Sequence, residues 1–161
     1  MATQNKTEDN ARNQAEAQLE SIKSMMFRLK HAQECDGDDC ELTNEEINDG
    51  MGYVSSHIVT DADIADFHNE EDAQTAINED PLSIETRSNW HSIGEESEDA
   101  EFQILLCTGG PAVRIMGELD NGTPRRAWLE YQDWGTSWTF YVTMGEDNKA
   151  LLAYAQYLVS I

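Results

Sequence analysis

The sequence predicts an α+β fold, with N-terminal helices followed by an antiparallel β-meander of four to five strands packed with a C-terminal helix. Three observations predict it. Before Pro81, apolar residues recur at spacings of three and four; after it they alternate with polar residues; and Asn121-Gly122 separates two alternating runs.

The first helix is expected over 8–33, where Ala15, Leu19, Ile22, Met26 and Leu29 form one stripe among good helix formers. About two heptads long, the stripe suits the protein's own core or the same helix of a second copy. Residues 1–33 carry four acids and five bases, so helix 8–33 is also the least repulsive surface for a homodimer. The run Glu34-Cys35-Asp36-Gly37-Asp38-Asp39-Cys40 ends this helix. Thr43-Asn44-Glu45-Glu46 is a capping box that opens a second helix through Ile47, Met51, Val54 and Ile58, weakened at Gly50 and Gly52 by roughly 1 kcal/mol each. Thr60 starts a third helix with Asp61 and Asp63 in its first turn, burying Ile64 and Phe67. Asn69 caps a fourth over 70–78, burying Ala73, Ala76 and Ile77, until Asp80-Pro81 stops it.

Beyond Pro81, Leu82, Ile84, Thr86 and Ser88 alternate as a first strand, and an acidic loop over 94–99 leads to a second over 102–107. Gly109-Gly110-Pro111 turns the chain into a third strand with Val113, Ile115, Gly117 and Leu119 on one face. In the fourth, Ala127, Leu129 and Tyr131 oppose Arg126, Trp128 and Glu130; Trp138, Phe140 and Val142 make a fifth. The last helix starts near Asp147, with Leu151, Tyr154, Leu158 and Ile161 on one face. The chain thus divides into an amphipathic helix (1–33), an acidic helical segment (34–81) and a sheet with its closing helix (82–161), the last two forming one unit.

Charge carries the functional reading. The 161 residues hold 32 acids and 10 bases, a net −22, and residues 34–101 hold 22 of the acids against one base, Arg87. Ten bases against 32 acids exclude direct nucleic-acid binding through a basic face. No apolar run approaches a membrane span, and the first 14 residues lack the apolar core of a signal peptide. Three cysteines make no disulfide framework and point to a reducing, cytoplasmic setting.

No catalytic signature is present, and the chain reads as a non-enzyme without a cofactor. His31, Cys35 and Cys40, with His57 further on, have zinc-type donors but not the tight spacing of a zinc knuckle, so they read as an acidic turn with no metal. The aspartates around them lack the order of a calcium loop. Cys107, before a glycine turn, reads as a structural thiol; it has no assigned base, and nothing in the sequence singles out His91 or His68 for that role. Asp133-Trp134-Gly135-Thr136-Ser137-Trp138 is the densest aromatic site, with Trp128 and Trp138 expected to stack, and Arg125-Arg126 is expected to pair with carboxylates.

The stretch from Ile104 to Trp138, ILLCTGGPAVRIMGELDNGTPRRAWLEYQDWGTSW, resembles small uncharacterised proteins of bacterial phages and mobile elements, and the resemblance reaches back to EDAQTAINEDPLSIETRSNW, Glu71 to Trp90. It implies a mobile-element origin, with anti-CRISPR and antirestriction proteins as the relevant classes and the bacterial host cytoplasm as the setting. The expectation is an acidic inhibitor of a basic nucleic-acid-binding host complex, its carboxylates standing in for phosphates. The candidate contacts are Asp36, Asp38, Asp39, Glu41, Glu45, Glu46, Asp61, Asp63, Asp66, Glu70, Glu71 and Asp72, with Trp134 and Trp138. The alternative is a mobile-element interaction protein that uses an aromatic sheet surface, the acidity serving solubility.

Overall fold

The computed structural model describes residues 2–160. Four helices come first: α1 (Ala2–Glu34), α2 (Asn44–Met51), α3 (Asp61–Phe67) and α4 (Glu70–Glu79). Five strands follow, β1 (Ser83–Ser88), β2 (Asp99–Cys107), β3 (Ala112–Asp120), β4 (Thr123–Gln132) and β5 (Thr139–Tyr141), and α5 (Glu146–Val159) closes the chain. The α+β architecture expected from the sequence is the one observed.

α1 starts earlier than residue 8, since neither Gly nor Pro interrupts its first turns. Its stripe of Ala11, Ala15, Leu19, Ile22 and Leu29 is buried, and α1 packs on α5, α4, α2, β3 and β4. Of the residues expected in a seam with a second copy, Leu19, Ile22 and Leu29 sit inside this chain's own core, and Met26 is half-buried against it.

α2 opens with the expected box: the Thr43 amide donates to Glu46 Oε2 (2.8 Å) and the Glu46 amide to Thr43 Oγ1 (3.3 Å). It ends well short of Ile58. Gly52 takes φ 71°, its amide donates to Asp49 O (3.1 Å), and the Tyr53 amide donates to Asn48 O (2.8 Å), the paired bonds of a Schellman terminus. Val54 and Ile58, expected on the buried face of a longer helix, are consequently exposed. Gly50 serves close packing, because a Cβ there would lie 2.6 Å from the Phe67 ring. α3 carries a second capping box, in which Asp63 does the work of the usual Glu.

The sheet is an antiparallel meander in the order β1-β2-β3-β4-β5. Asn121 (φ 49°) and Gly122 (φ 74°) turn β3 into β4, and Ile115 lies opposite Leu129. Phe102, Ile104, Leu106, Val113, Ile115 and Leu129 point to the helices and are buried. Gly117 is needed where Phe102 crosses it, since a Cβ would come within 2.2 Å of the ring and of Arg126 O. The other face carries Gln103, Arg114, Met116, Glu118, Arg126, Trp128 and Glu130. β5 is shorter than the alternation over 138–142 suggests. Tyr141 is the residue that packs on the core, while Phe140 and Val142 are exposed.

On α5, Leu151, Tyr154, Ala155 and Val159 are buried; Ile161, expected on that face, lies outside the described residues. The Tyr154 hydroxyl donates to Asp80 Oδ2 (2.5 Å) and so ties α5 to the end of α4. Burial first, and then the Asp80 carboxylate, push the Tyr154 phenol far above its ordinary value. The raised value means that this contribution to stability is present below about pH 10, where the unfolded phenol titrates, and is lost as pH rises above it. Tyr154→Phe is therefore expected to lower stability at neutral pH and to reduce its decline above about pH 10, as read by urea unfolding across pH.

Candidate functional site

The acidic elements are grouped around the last two turns of α1. Arg28 donates to the Asp66 carbonyl (2.8 Å), Gln33 to Glu70 (3.0 Å), and the Phe27 ring lies 6.2 Å from that of Phe67. From this support the loop after α1 presents Asp36, Asp38, Asp39 and Glu41, α2 presents Glu45 and Glu46, α3 presents Asp61, Asp63 and Asp66, and α4 presents Glu70, Glu71 and Asp72. All of these are exposed except Asp63, which is half-buried.

Two of the twelve close helix caps. Glu46 and Asp63 close the two capping boxes. The Thr60 hydroxyl and amide, and then the His57 ring, hold the Asp63 carboxyl well below the usual carboxylate range. Tyr53 Oη donates to the same carboxyl at 3.1 Å. Among the described residues, no Lys or Arg pairs with any carboxylate between residues 34 and 80. The Lys and Arg ion pairs lie elsewhere: Lys23 with Glu20 and Asp147, Arg87 with Glu101, Arg114 with Glu130, Arg125 and Arg126 with Glu118, and Lys149 with Glu146.

A second constellation sits at the base of this layer. His31 and Cys35 share a face of the last turn of α1, where the Cys35 amide donates to His31 O (2.8 Å). Gly37 (φ 96°) and Asp39 (φ 60°) fold the loop back and bring Cys40 Sγ to 3.4 Å from His31 Nε2. The fourth member is His68, at the C-cap of α3, its Nε2 3.1 Å from His31 Nε2. One donor atom from each of His31, Cys35, Cys40 and His68 lies within 4.8 Å of the others. His57, grouped with these residues in the sequence reading, is instead 3.2 Å from Asp63 Oδ2 and packs on Tyr53. The reason is the early end of α2. Once Gly52 stops that helix, His57 lies in the connecting segment beside α3.

The open sheet face gathers the aromatic residues. Trp128 stacks on Phe140 (centroids 6.1 Å apart, planes at 12°) rather than on Trp138, and its Nε1 donates to Glu130 (2.9 Å). Trp138 carries the Arg114 guanidinium 4.0 Å above its ring. Trp134 is exposed in the β4–β5 turn. Arg125 and Arg126 both bond Glu118, as the sequence suggests. Cys107 Sγ is 3.8 Å from Pro111 O, and burial pushes its thiol up; neither His91, bonded to Asn89 O, nor His68 bonds to it. No helix among the described residues is long and apolar enough to cross a membrane.

Compared with family profiles, curated proteins and solved structures, the chain matches none.

Because the Asp63 carboxyl is held below its ordinary range, its contribution to stability is present above the unfolded value and is lost as pH falls through and below it. Asp63→Asn is expected to lower the melting temperature at neutral pH. The gap from the wild type should close as the solution is acidified, which a series of melts from neutral pH into strong acid would measure.

Proposed function

We propose that this chain is a non-catalytic binding protein whose acidic helical layer occupies the cationic nucleic-acid-binding site of a partner protein or nucleoprotein complex. The observation that carries this reading is the segregation of compensated from uncompensated charge. On the sheet and on α5, bases meet acids in pairs; around the C-terminal end of α1, Lys and Arg among the described residues leave the carboxylates to solvent. The fold pairs each strand arginine and Lys149 with a carboxylate, and so has the means to balance charge where it places bases. Leaving it unbalanced raises self-repulsion, an outlay that a cationic partner offsets. Duplex DNA presents about one charge per 1.7 Å of axis, and a carboxylate array on short, capped helices is a rigid counterpart to it. In the setting implied by the sequence resemblance, the partner is a host defence complex and the effect is inhibition.

The second reading rests on the sheet face that carries Trp128, Phe140 and Trp138. Aromatic side chains are favoured interface anchors, and in this reading the acidity serves solubility.

Cluster variants separate the two. One replaces Asp36, Asp38, Asp39, Glu41 and Glu45 by Asn or Gln; the other replaces Asp61, Asp66, Glu70, Glu71 and Asp72. Glu46 and Asp63 are kept so that both capping boxes survive. Against a partner captured from host lysate in a DNA-competable manner, each cluster is expected to weaken binding about tenfold or more, mainly through slower association, and to flatten its salt dependence. Unchanged affinity and salt slope in both variants, with loss on Trp134→Ala or Trp138→Ala, would transfer the function to the sheet face.

A further inference from the structure

We propose that His31, Cys35, Cys40 and His68 form a structural zinc site that pins the acidic layer to α1. The donor set is the two-sulfur, two-nitrogen set of a closed tetrahedral zinc centre. The geometry is close to what the ion needs. Bonds of about 2.3 Å to sulfur and about 2.0–2.1 Å to nitrogen give donor–donor edges of about 3.3–3.8 Å. The two imidazole Nε2 atoms are 3.1 Å apart, Cys40 Sγ is 3.4 Å from His31 Nε2, and all four donors fit within 4.8 Å of one another. A proton on His31 Nε2 accounts for one of these approaches. It does not account for two sulfurs and a second ring converging on the same point.

The surroundings support the assignment. His68 Nδ1 is 2.6 Å from the Ile64 carbonyl oxygen, which can only accept, so Nδ1 carries the proton and Nε2 turns its lone pair to the cluster. That is the outer-shell arrangement typical of metal-bound histidines. The Gly37 backbone packs on the His68 ring, with a virtual Cβ 3.4 Å from Cγ, and the Phe67 ring lies 5.4 Å from that of His31. Both cysteines are free thiols. On binding, the two thiols release their protons to solvent and the resulting centre is neutral, so the acidic layer keeps its net charge.

A staple also has work to do here. α2 and α3 have eight and seven residues. Their buried Ile47 and Phe67 stand outside the main apolar cluster of α1, the sheet and α5. Short helices with so little core gain most from a bound ion.

The test uses the full chain, purified under reducing conditions, with Zn²⁺ and Co²⁺ alone as probes. The expected result is one tightly bound zinc per chain by elemental analysis, and, on cobalt titration, the ligand-field bands of a tetrahedral site with thiolate-to-cobalt charge transfer. Cys35→Ser, Cys40→Ser and His68→Ala are expected to lower zinc affinity by more than the roughly 10–100-fold that outer-shell changes produce. His57→Ala and Cys107→Ser should keep it. Chelation is expected to release amide protection in α2 and α3 and to leave the sheet as it was. Absence of stoichiometric zinc and of the tetrahedral cobalt spectrum in the reduced wild type would overturn the proposal, whatever the variants do. So would loss of metal on His57→Ala with retention on His68→Ala.

Discussion

The acidic half of this protein is held by the C-terminal two turns of α1. Those turns supply Phe27 to the satellite cluster of Phe67, Arg28 to the Asp66 carbonyl, His31 to His68 and Cys40, and Gln33 to Glu70. Ala15, Leu19, Ile22 and Leu29 of the same helix lie in the main core, together with Ala73 and Ile77 of α4. α1 therefore links the main core to a layer whose carboxylates repel one another. α4 is held by Ala73 and Ile77 in the main core and by the Tyr154–Asp80 hydrogen bond, whereas α2 and α3 depend on local devices that outweigh the repulsion.

Those devices are short-range and specific. Two capping boxes satisfy the first amides of α2 and α3 and fix one carboxylate each. Gly50 brings Phe67 against α2, and the four-donor cluster closes the base. None of them removes charge from the outer surface. The result is a rigid support with a free acidic exterior, the physical requirement for a surface that stands in for phosphates. The aromatic residues belong to β4, β5 and the turn between them, so the two candidate contact surfaces are separable by mutation.

Much of this fold was legible because the signals are local. Apolar stripes, the Thr43–Glu46 box and Asn121-Gly122 each act within a few residues. What was missed depends on tertiary closure. Gly52 was read as a weak point inside a helix, whereas its positive φ makes it the end of one. That one difference exposes Val54 and Ile58 and carries His57 to Asp63. The fourth member of the His/Cys cluster is then His68, 28 residues after Cys40 and placed by two intervening helices. Its one local sign is its position at the end of a helix that begins with a Thr-x-x-Asp box. The acidic residues were legible as a composition. That they have no Lys or Arg partner among the described residues depends on where the bases fold, and the strand arginines fold onto Glu101, Glu118 and Glu130.

The acidic layer is a folded array packed on α1 and not a flexible acidic tract. Amide hydrogen exchange at low and at physiological salt tests it directly. The account expects the amides of Ile47, Phe67 and Ile77 to be protected under both conditions. Their protection should rise with salt as repulsion is screened, while the β2–β3–β4 amides change little. Exchange of the α2, α3 and α4 amides at the rate of an unfolded chain at physiological salt, with the sheet protected, would contradict it.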